Sequence, residues 1–330
     1  MNRFNVINII LFLFLNIYHI RAQQEINFSH YMLNSQLFNP AFIGLEENLT
    51  ISSLNSLQWV GFEGNPTTNT ILLDGKLKNN LGIGMELISD KIGPTSSNFI
   101  AINAAYHLKL NKHSNNLSLG IKLSGNDHNI GLDSMSFDDI TDPNARTVDS
   151  YFIPNIGFGL NYYTDKFYLA FSIPYFFEPK TINKKRHYYV SGGFKKQLNK
   201  KILINPNFFL KKAENTPTSI DVSTMLFFED LFWFGINYGA SENGFISIID
   251  SGGNLSFISG FKLIPSLSIG YSVTSQIGNW TGSANSRSHE IYIKFSTSKK
   301  LSRSSNDISN GGELETSNQK KYQWKIEIIF

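Results

Sequence analysis

Six aspartates fall between positions 127 and 149: Asp127, Asp133, Asp138, Asp139, Asp142 and Asp149. Carboxylates at this density, beside Asn and backbone carbonyls, supply the oxygen ligands that calcium takes. Their spacing does not follow an EF-hand, and water-facing loops are often acidic, so the segment reads first as a solvated loop, with calcium as the alternative. Elsewhere the chemistry thins out. The seven histidines lie far apart, with no HExxH or paired spacing for zinc. No GxSxG nucleophile elbow and no GxxxxGK[ST] phosphate cradle occurs. The GxG pairs Gly82/Gly84 and Gly157/Gly159 sit inside strand-like patterns, where they read as small lumen-facing positions rather than dinucleotide turns. Cysteine is absent, which excludes disulfides and thiolate metal sites. No residue is therefore assigned to catalysis, a cofactor or a metal, and the expectation is a protein that is not an enzyme.

The start of the chain gives an address. Arg3 precedes an apolar run from Val6 to Ile20, which closes on Ile20-Arg21-Ala22-Gln23-Gln24. This is the layout of a signal peptide over residues 1–22, cleaved after Ala22 or Gln23. The run is shorter than the ~20 residues that a membrane-spanning helix needs. No later segment reaches that length without polar interruption, so a helical membrane protein is excluded. The net charge is only +3 and the basic residues are scattered, which gives no nucleic-acid surface. Charged residues make up 17% and aromatics 14%, with 27 Phe. An exported chain of this kind suits a Gram-negative outer membrane.

What would position these residues is a series of strands. From about Leu49 onward apolar residues recur at period two. Leu117, Leu119, Ile121 and Leu123 alternate with Ser118, Gly120, Lys122 and Ser124, and Ile156, Phe158, Leu160 and Tyr162 with Asn155, Gly157, Gly159 and Asn161. About fourteen strands fit, and their linkers alternate between short and long, as a transmembrane barrel requires. The short set is 78–80, 111–116, 164–166, 199–200, 229–230 and 265–266. The long set is 59–66, 90–97, 127–150, 174–187, 212–217, 239–254 and 275–288. An even count returns both ends of the barrel, residues 49–296, to the short-turn, periplasmic side. Tyr162, Tyr163, Phe167 and Tyr168 bracket the turn Thr164–Asp165–Lys166 and are expected to form part of an aromatic girdle at the lipid headgroups. A soluble secreted β-sandwich is the competing reading.

Two pieces lie outside the strand series. The arm 23–48 carries Phe28, Tyr31, Met32, Leu37, Phe38 and Phe42, which must be buried somewhere. It is expected to enter the lumen from the periplasm as a partial plug, the alternative being an arm on the surface. Residues 297–321 are a polar linker, followed by YQWKIEIIF at 322–330, a strand-like extension. That extension either stays in the periplasm, the favoured reading, or inserts and changes the strand count.

Several stretches together resemble one family. They are YMLN at Tyr31–Asn34, NPAFIG with Asn39, Pro40 and Gly44, QWVGFEGNPTT with Trp59, Gly61 and Phe62, and DKIGPT with Asp90, Gly93 and Pro94. PNIGFGLNYYTDKFYLAFSIP adds Pro154, Asn155, Gly157, Gly159, Asp165, Lys166 and Phe167; GYS adds Gly270 and Tyr271; SHEI adds His289 and Glu290. This ordered set looks like the PorP/SprF family of type IX secretion membrane proteins of Bacteroidota. The resemblance implies an outer-membrane barrel that serves protein secretion or gliding motility. It also implies partners: outer-membrane lipid, a secreted cargo or large adhesin, and periplasmic components of the machine. The extension 297–330 and the long loop 239–254 depart from the family's usual form. Trp59, Phe62 and Ile92 lie on the outer side, where they read as a partner surface or as packing between loops. A channel for small apolar solutes is the alternative function.

Overall fold

The computed structural model describes residues 28–77, 80–111, 114–131, 149–179, 185–214, 216–242, 253–277 and 287–297. The expected signal peptide and residues 298–330 lie outside the described residues. The strands are β1 (Thr50–Leu57), β2 (Thr67–Lys76), β3 (Leu81–Ile92), β4 (Thr95–Lys109) and β5 (Asn116–Ile130). There follow β6 (Asp149–Tyr163), β7 (Phe167–Ile173), β8 (His187–Phe194), the two-residue β9 (Lys196–Gln197) and β10 (Ile202–Ala213). The last are β11 (Thr218–Phe228), β12 (Phe232–Glu242), β13 (Gly253–Ile264), β14 (Leu267–Ile277) and β15 (Ser288–Ser296).

Strands consecutive in sequence pair antiparallel, except β8 and β9, which both pair with β10, and β1 also pairs with β15, from Thr50↔Ser296 to Leu57↔His289. The sheet therefore closes on itself. Both β8 and β9 lie against β10, interrupted only at Lys195. Counted as one, they make the fifteen described segments a barrel of fourteen strands, as the alternation predicted. Closure pairs every strand on both sides, which leaves no sheet edge for hydrocarbon to meet.

The two faces are inverted relative to a soluble protein. On β5, Leu119, Ile121 and Leu123 are 45, 40 and 57% exposed, whereas Ser118 and Lys122 are fully buried. The same holds on β14 and β15, where Tyr271, Ile291 and Ile293 point out and Ser272 and Glu290 point in. Exposed apolar side chains right round a closed barrel require lipid, and the polar side chains face the lumen.

The short turns cluster at one end with the two chain exits, where the backbone N–H of Thr297 donates to the carbonyl of Leu49 (2.9 Å). One expected loop is corrected. Residues 90–97 are not a long linker, because β3 runs on to Ile92 and β4 starts at Thr95. Gly93, at φ +54°, takes the left-handed conformation that a two-residue hairpin needs at its first central position.

Candidate functional site: a lumen filled by the chain's own arm

Three short 3-10 turns, Tyr31–Leu33, Ser35–Leu37 and Pro40–Phe42, carry the arm through the lumen. Phe28, Tyr31, Met32, Leu37, Phe38, Phe42 and Ile43 are all buried. Their partners are apolar islands on an otherwise polar wall. Tyr31 stacks on Phe209, Phe38 packs tilted against Phe209 and edge-on to Tyr189, and Phe42 meets Tyr168 edge-on. A surface-lying arm does not occur: these seven large apolar side chains are driven out of water, and the lumen supplies matching rings.

The arm's backbone is held by wall side chains, which satisfies polar groups that irregular structure leaves unpaired. The carboxylate of Glu290 accepts from the backbone N–H groups of Ser29 (2.8 Å) and His30 (3.3 Å) and lies 2.8 Å from His30 Nδ1. Lys122 Nζ donates to the carbonyl of Leu37 (3.0 Å) and to Glu86 Oε2 (2.9 Å). Asn103 donates to the other Glu86 oxygen. Ser172 and Ser118 donate to the carbonyls of Phe38 and Ala41, and Asp74 accepts from Gly44 N–H (2.6 Å). Lys294 pairs with Glu46 where the arm leaves the lumen.

The NPAFIG motif has its own seat. Asn39 caps the turn Pro40–Phe42 by accepting from Ala41 N–H (2.9 Å), and its Nδ2 donates to the carbonyls of Leu160 and Phe171 (3.2 Å each). A Cβ on Gly159 would collide with Asn39, and one on Gly120 with the backbone of Pro40 and Ala41. Gly82 meets Ile43 and Gly44 in the same way. The wall glycines are therefore sockets for the arm, consistent with the lumen-facing reading of Gly82 and Gly159. Gly157 makes room for the backbone of Pro174 instead.

The other motif residues fall into three groups. At the long-loop end, Gly93 N–H donates to Gly64 O and Gly131 N–H to Pro94 O, which ties three loops together. There Asp90 accepts from Thr68 Oγ1 (2.6 Å), and Asn155 pins the β7–β8 connection through both backbone groups of Phe177. Trp59 (φ +52°), Gly61 and Phe62 sit on the β1–β2 loop, with Trp59 and Phe62 39 and 49% exposed. On the outer barrel face, Pro154 is exposed and Tyr271 Oη lies 2.5 Å from His289 Nδ1. At the short-turn end, Asp165 and Lys166 form an exposed turn. Gly270 faces the lumen beside Trp233 and Tyr292.

The aromatic girdle needs correction. Tyr162 and Phe167 do point outward and touch each other, with ring centroids 5.7 Å apart. Tyr168 is 4% exposed and donates to Asn207 inside the lumen, and Tyr163 packs with Phe42 and beside His107. Neighbouring residues on a strand point to opposite faces, so Tyr162 and Tyr163 cannot both reach lipid. The sequence reading did not name Glu290, Lys122, Glu86 or the socket glycines as anchors of the arm. A charged residue in the polar phase of a barrel strand was the available signal.

The acidic cluster lies mostly outside the described residues. Within them, Asp127 accepts from Asn129 and Ser150, and no group of three metal-ligating residues is found.

The structure is similar to three solved barrels. CymD, a monoaromatic hydrocarbon channel, gives a TM-score of 0.49 at 11% identity over 80% of this chain and 91% of that one. Omp33 of Acinetobacter baumannii gives 0.44 at 11% identity over 77% and 100% of the two chains. The KdgM porin gives 0.38 at 10% identity over 76% and 99%. No curated protein sequence matches. The family described as type IX secretion system membrane protein PorP/SprF matches residues 20–295, from the arm to the closing strand. The chain thus belongs to the PorP/SprF family and is an outer-membrane β-barrel of the type IX secretion system.

Proposed function

We propose that this barrel is a non-enzymatic anchor that holds a secreted partner, such as a large adhesin, at the outer face during export or attachment. The observation that carries the reading is the occupied lumen. An arm that covers Glu290, Lys122 and Asp74 from inside leaves the wall's polar groups engaged with protein rather than with a solute stream. Binding then belongs to the rims. Trp59, Val60, Phe62 and Phe177 are 39, 48, 49 and 57% exposed at the long-loop end, although the β1–β2 loop is tied to the β3–β4 turn and the loop of Phe177 to β6. Trp59 adopts a left-handed backbone that a bulky residue rarely takes, a conformation characteristic of functional loops. Periplasmic parts of the machine meet the short-turn end in this reading.

The test is a Trp59→Ala/Phe62→Ala pair in the native host, with crosslinked partners recovered from intact membranes. The barrel is expected to accumulate normally while recovery of the partner falls about tenfold, the loss of one aromatic hot spot or more. Unchanged recovery would overturn the outer-loop role. A passage for small apolar solutes requires the arm to leave; steady conductance of the purified full chain would favour it over anchorage.

A further inference from the structure

The outward wall of the barrel is not apolar all the way round. Across the closing strands β14, β15, β1 and β2 the lipid-facing side chains fall into rows set by register. Near the short-turn end Leu267, Phe295, Ile51 and Leu73 form an apolar row. Two outward steps higher, Tyr271, Ile291, Asn55 and Asn69 share a row, with Ser53 one step below it and His289 one step above. Asn55 Nδ2 donates to Ser53 Oγ (3.1 Å), and Tyr271 Oη lies 2.5 Å from His289 Nδ1. Asn69 is exposed and makes no side-chain hydrogen bond among the described residues. Asn98 on β4, by contrast, tops an outward apolar run that ends in Ile102 and Ile100, whereas Ser53 and Asn55 interrupt theirs between Ile51 and Leu57. Amides and hydroxyls that face hydrocarbon are costly unless something bonds them, so this patch calls for a polar partner.

Two cations overlook the patch at the long-loop end. Arg287 immediately precedes β15, and Lys91 on β3 shares a row with Thr67 and Leu57. Both are exposed, and neither forms an ion pair among the described residues. No carboxylate faces outward on β14, β15 or β1 to β3: Asp74, Glu86 and Glu290 are buried in the lumen, and Asp90 accepts from the buried Thr68. Around and below the patch, Ile51, Ile71, Ile291 and Ile293 present an aliphatic wall to the membrane. From the rim inward the order is therefore cation, hydrogen-bonding group, hydrocarbon.

We propose that this face is a binding site for a phosphorylated glycolipid of the outer leaflet, of the lipid A class. Such a lipid has the same vertical order, with phosphates at the headgroup, amide and hydroxyl groups at the roots of its acyl chains, and the chains below. Arg287 and Lys91 take the phosphates through charge-assisted hydrogen bonds. Ser53, Asn55 and the Tyr271–His289 pair bond the amides and hydroxyls, and Asn69 gains there the partner it lacks. A second copy of the chain fits less well, because it would bring its own cations to a face with no outward carboxylate to meet them. This inference does not depend on the anchoring role proposed above.

The test uses the purified full chain in phosphatidylcholine nanodiscs, with lipid A added as the probe and retained lipid counted by native mass spectrometry. Lipid A is expected to stay bound where phosphatidylglycerol exchanges away. Asn55→Leu/Asn69→Leu should weaken its retention about tenfold, the loss of two modest hydrogen bonds. Lys91→Ala/Arg287→Ala, at the exposed rim, should abolish the preference for lipid A over its dephosphorylated form. Asn98→Leu on β4 is the control and should retain lipid A as the unsubstituted chain does. Heat-modifiable gel mobility confirms an intact barrel in each case, and leucine suits a lipid-facing position. Equal retention of lipid A and phosphatidylglycerol, or retention unchanged by both pairs of substitutions, would overturn the proposal. So would an equal loss in the control, or a dimer of the chain through this face in place of bound lipid.

Discussion

Glu290, on the strand that closes the barrel, and His30, near the start of the arm, are joined twice, through His30 Nδ1 at 2.8 Å and His30 N–H at 3.3 Å. The same carboxylate takes the Ser29 N–H, so one buried side chain fixes two successive residues of the arm. Hydrogen bonds to a charged group contribute about 1.5–3 kcal/mol each, more than neutral ones. Replacing Glu290 with Ala should therefore release the first turn of the arm without unfolding the barrel. Hydrogen exchange over residues 28–34 should accelerate about tenfold or more, a gain equivalent to about 1.4 kcal/mol. Unchanged protection would show that ring packing alone holds the segment.

Lys122, Glu86 and the carbonyl of Leu37 form a second anchor, fully buried between three strands and the arm. Removing one partner of a buried ion pair leaves an uncompensated charge and costs about 3–5 kcal/mol, whereas removing both is far milder. Lys122→Met and Glu86→Gln should each destabilise the folded barrel strongly in urea, and the double substitution should recover much of the loss. Additive effects in that double-mutant cycle would refute coupling through the pair.

The sockets at Gly120 and Gly159 admit no side chain while the arm is seated. Gly120→Val points a branched side chain at the Pro40–Ala41 backbone and is expected to expel the NPAFIG segment. The barrel wall keeps its strand pairing, because valine favours a strand. Chymotrypsin, for which the arm's Phe, Tyr and Leu residues are sites, should then cut the arm in the folded protein, at positions protected in the unsubstituted chain.

Deleting residues 24–48 removes the plug altogether. In planar bilayers the deleted barrel should show steady conductance and the full chain none, since the polar wall would then face water. Conductance of equal size in both would mean that the arm does not seal the lumen.

Much of this was legible in the sequence because a barrel writes its two environments into every second residue. The alternation at 117–124 and 155–162 gave the strands, their number and the lipid-facing side. The linkers gave the end at which the chain enters and leaves. The turn at Gly93–Pro94 escaped because Asp90, Lys91 and Ile92 look like loop residues until pairing with Thr95–Ser97 makes them strand.

The sequence by itself determined the alternating strands of the barrel and that the arm's aromatics needed burial, since both follow from local periodicity and from the cost of apolar surface in water. Only the tertiary structure decided where the arm sits and what grips it. Glu290 and His30 are 260 positions apart, and Gly159 meets Asn39 across 120; such pairs exist only once closure brings opposite walls around one lumen. The same closure sent Tyr168 inward and left Phe167 outside, because strand register assigns neighbouring rings to opposite faces.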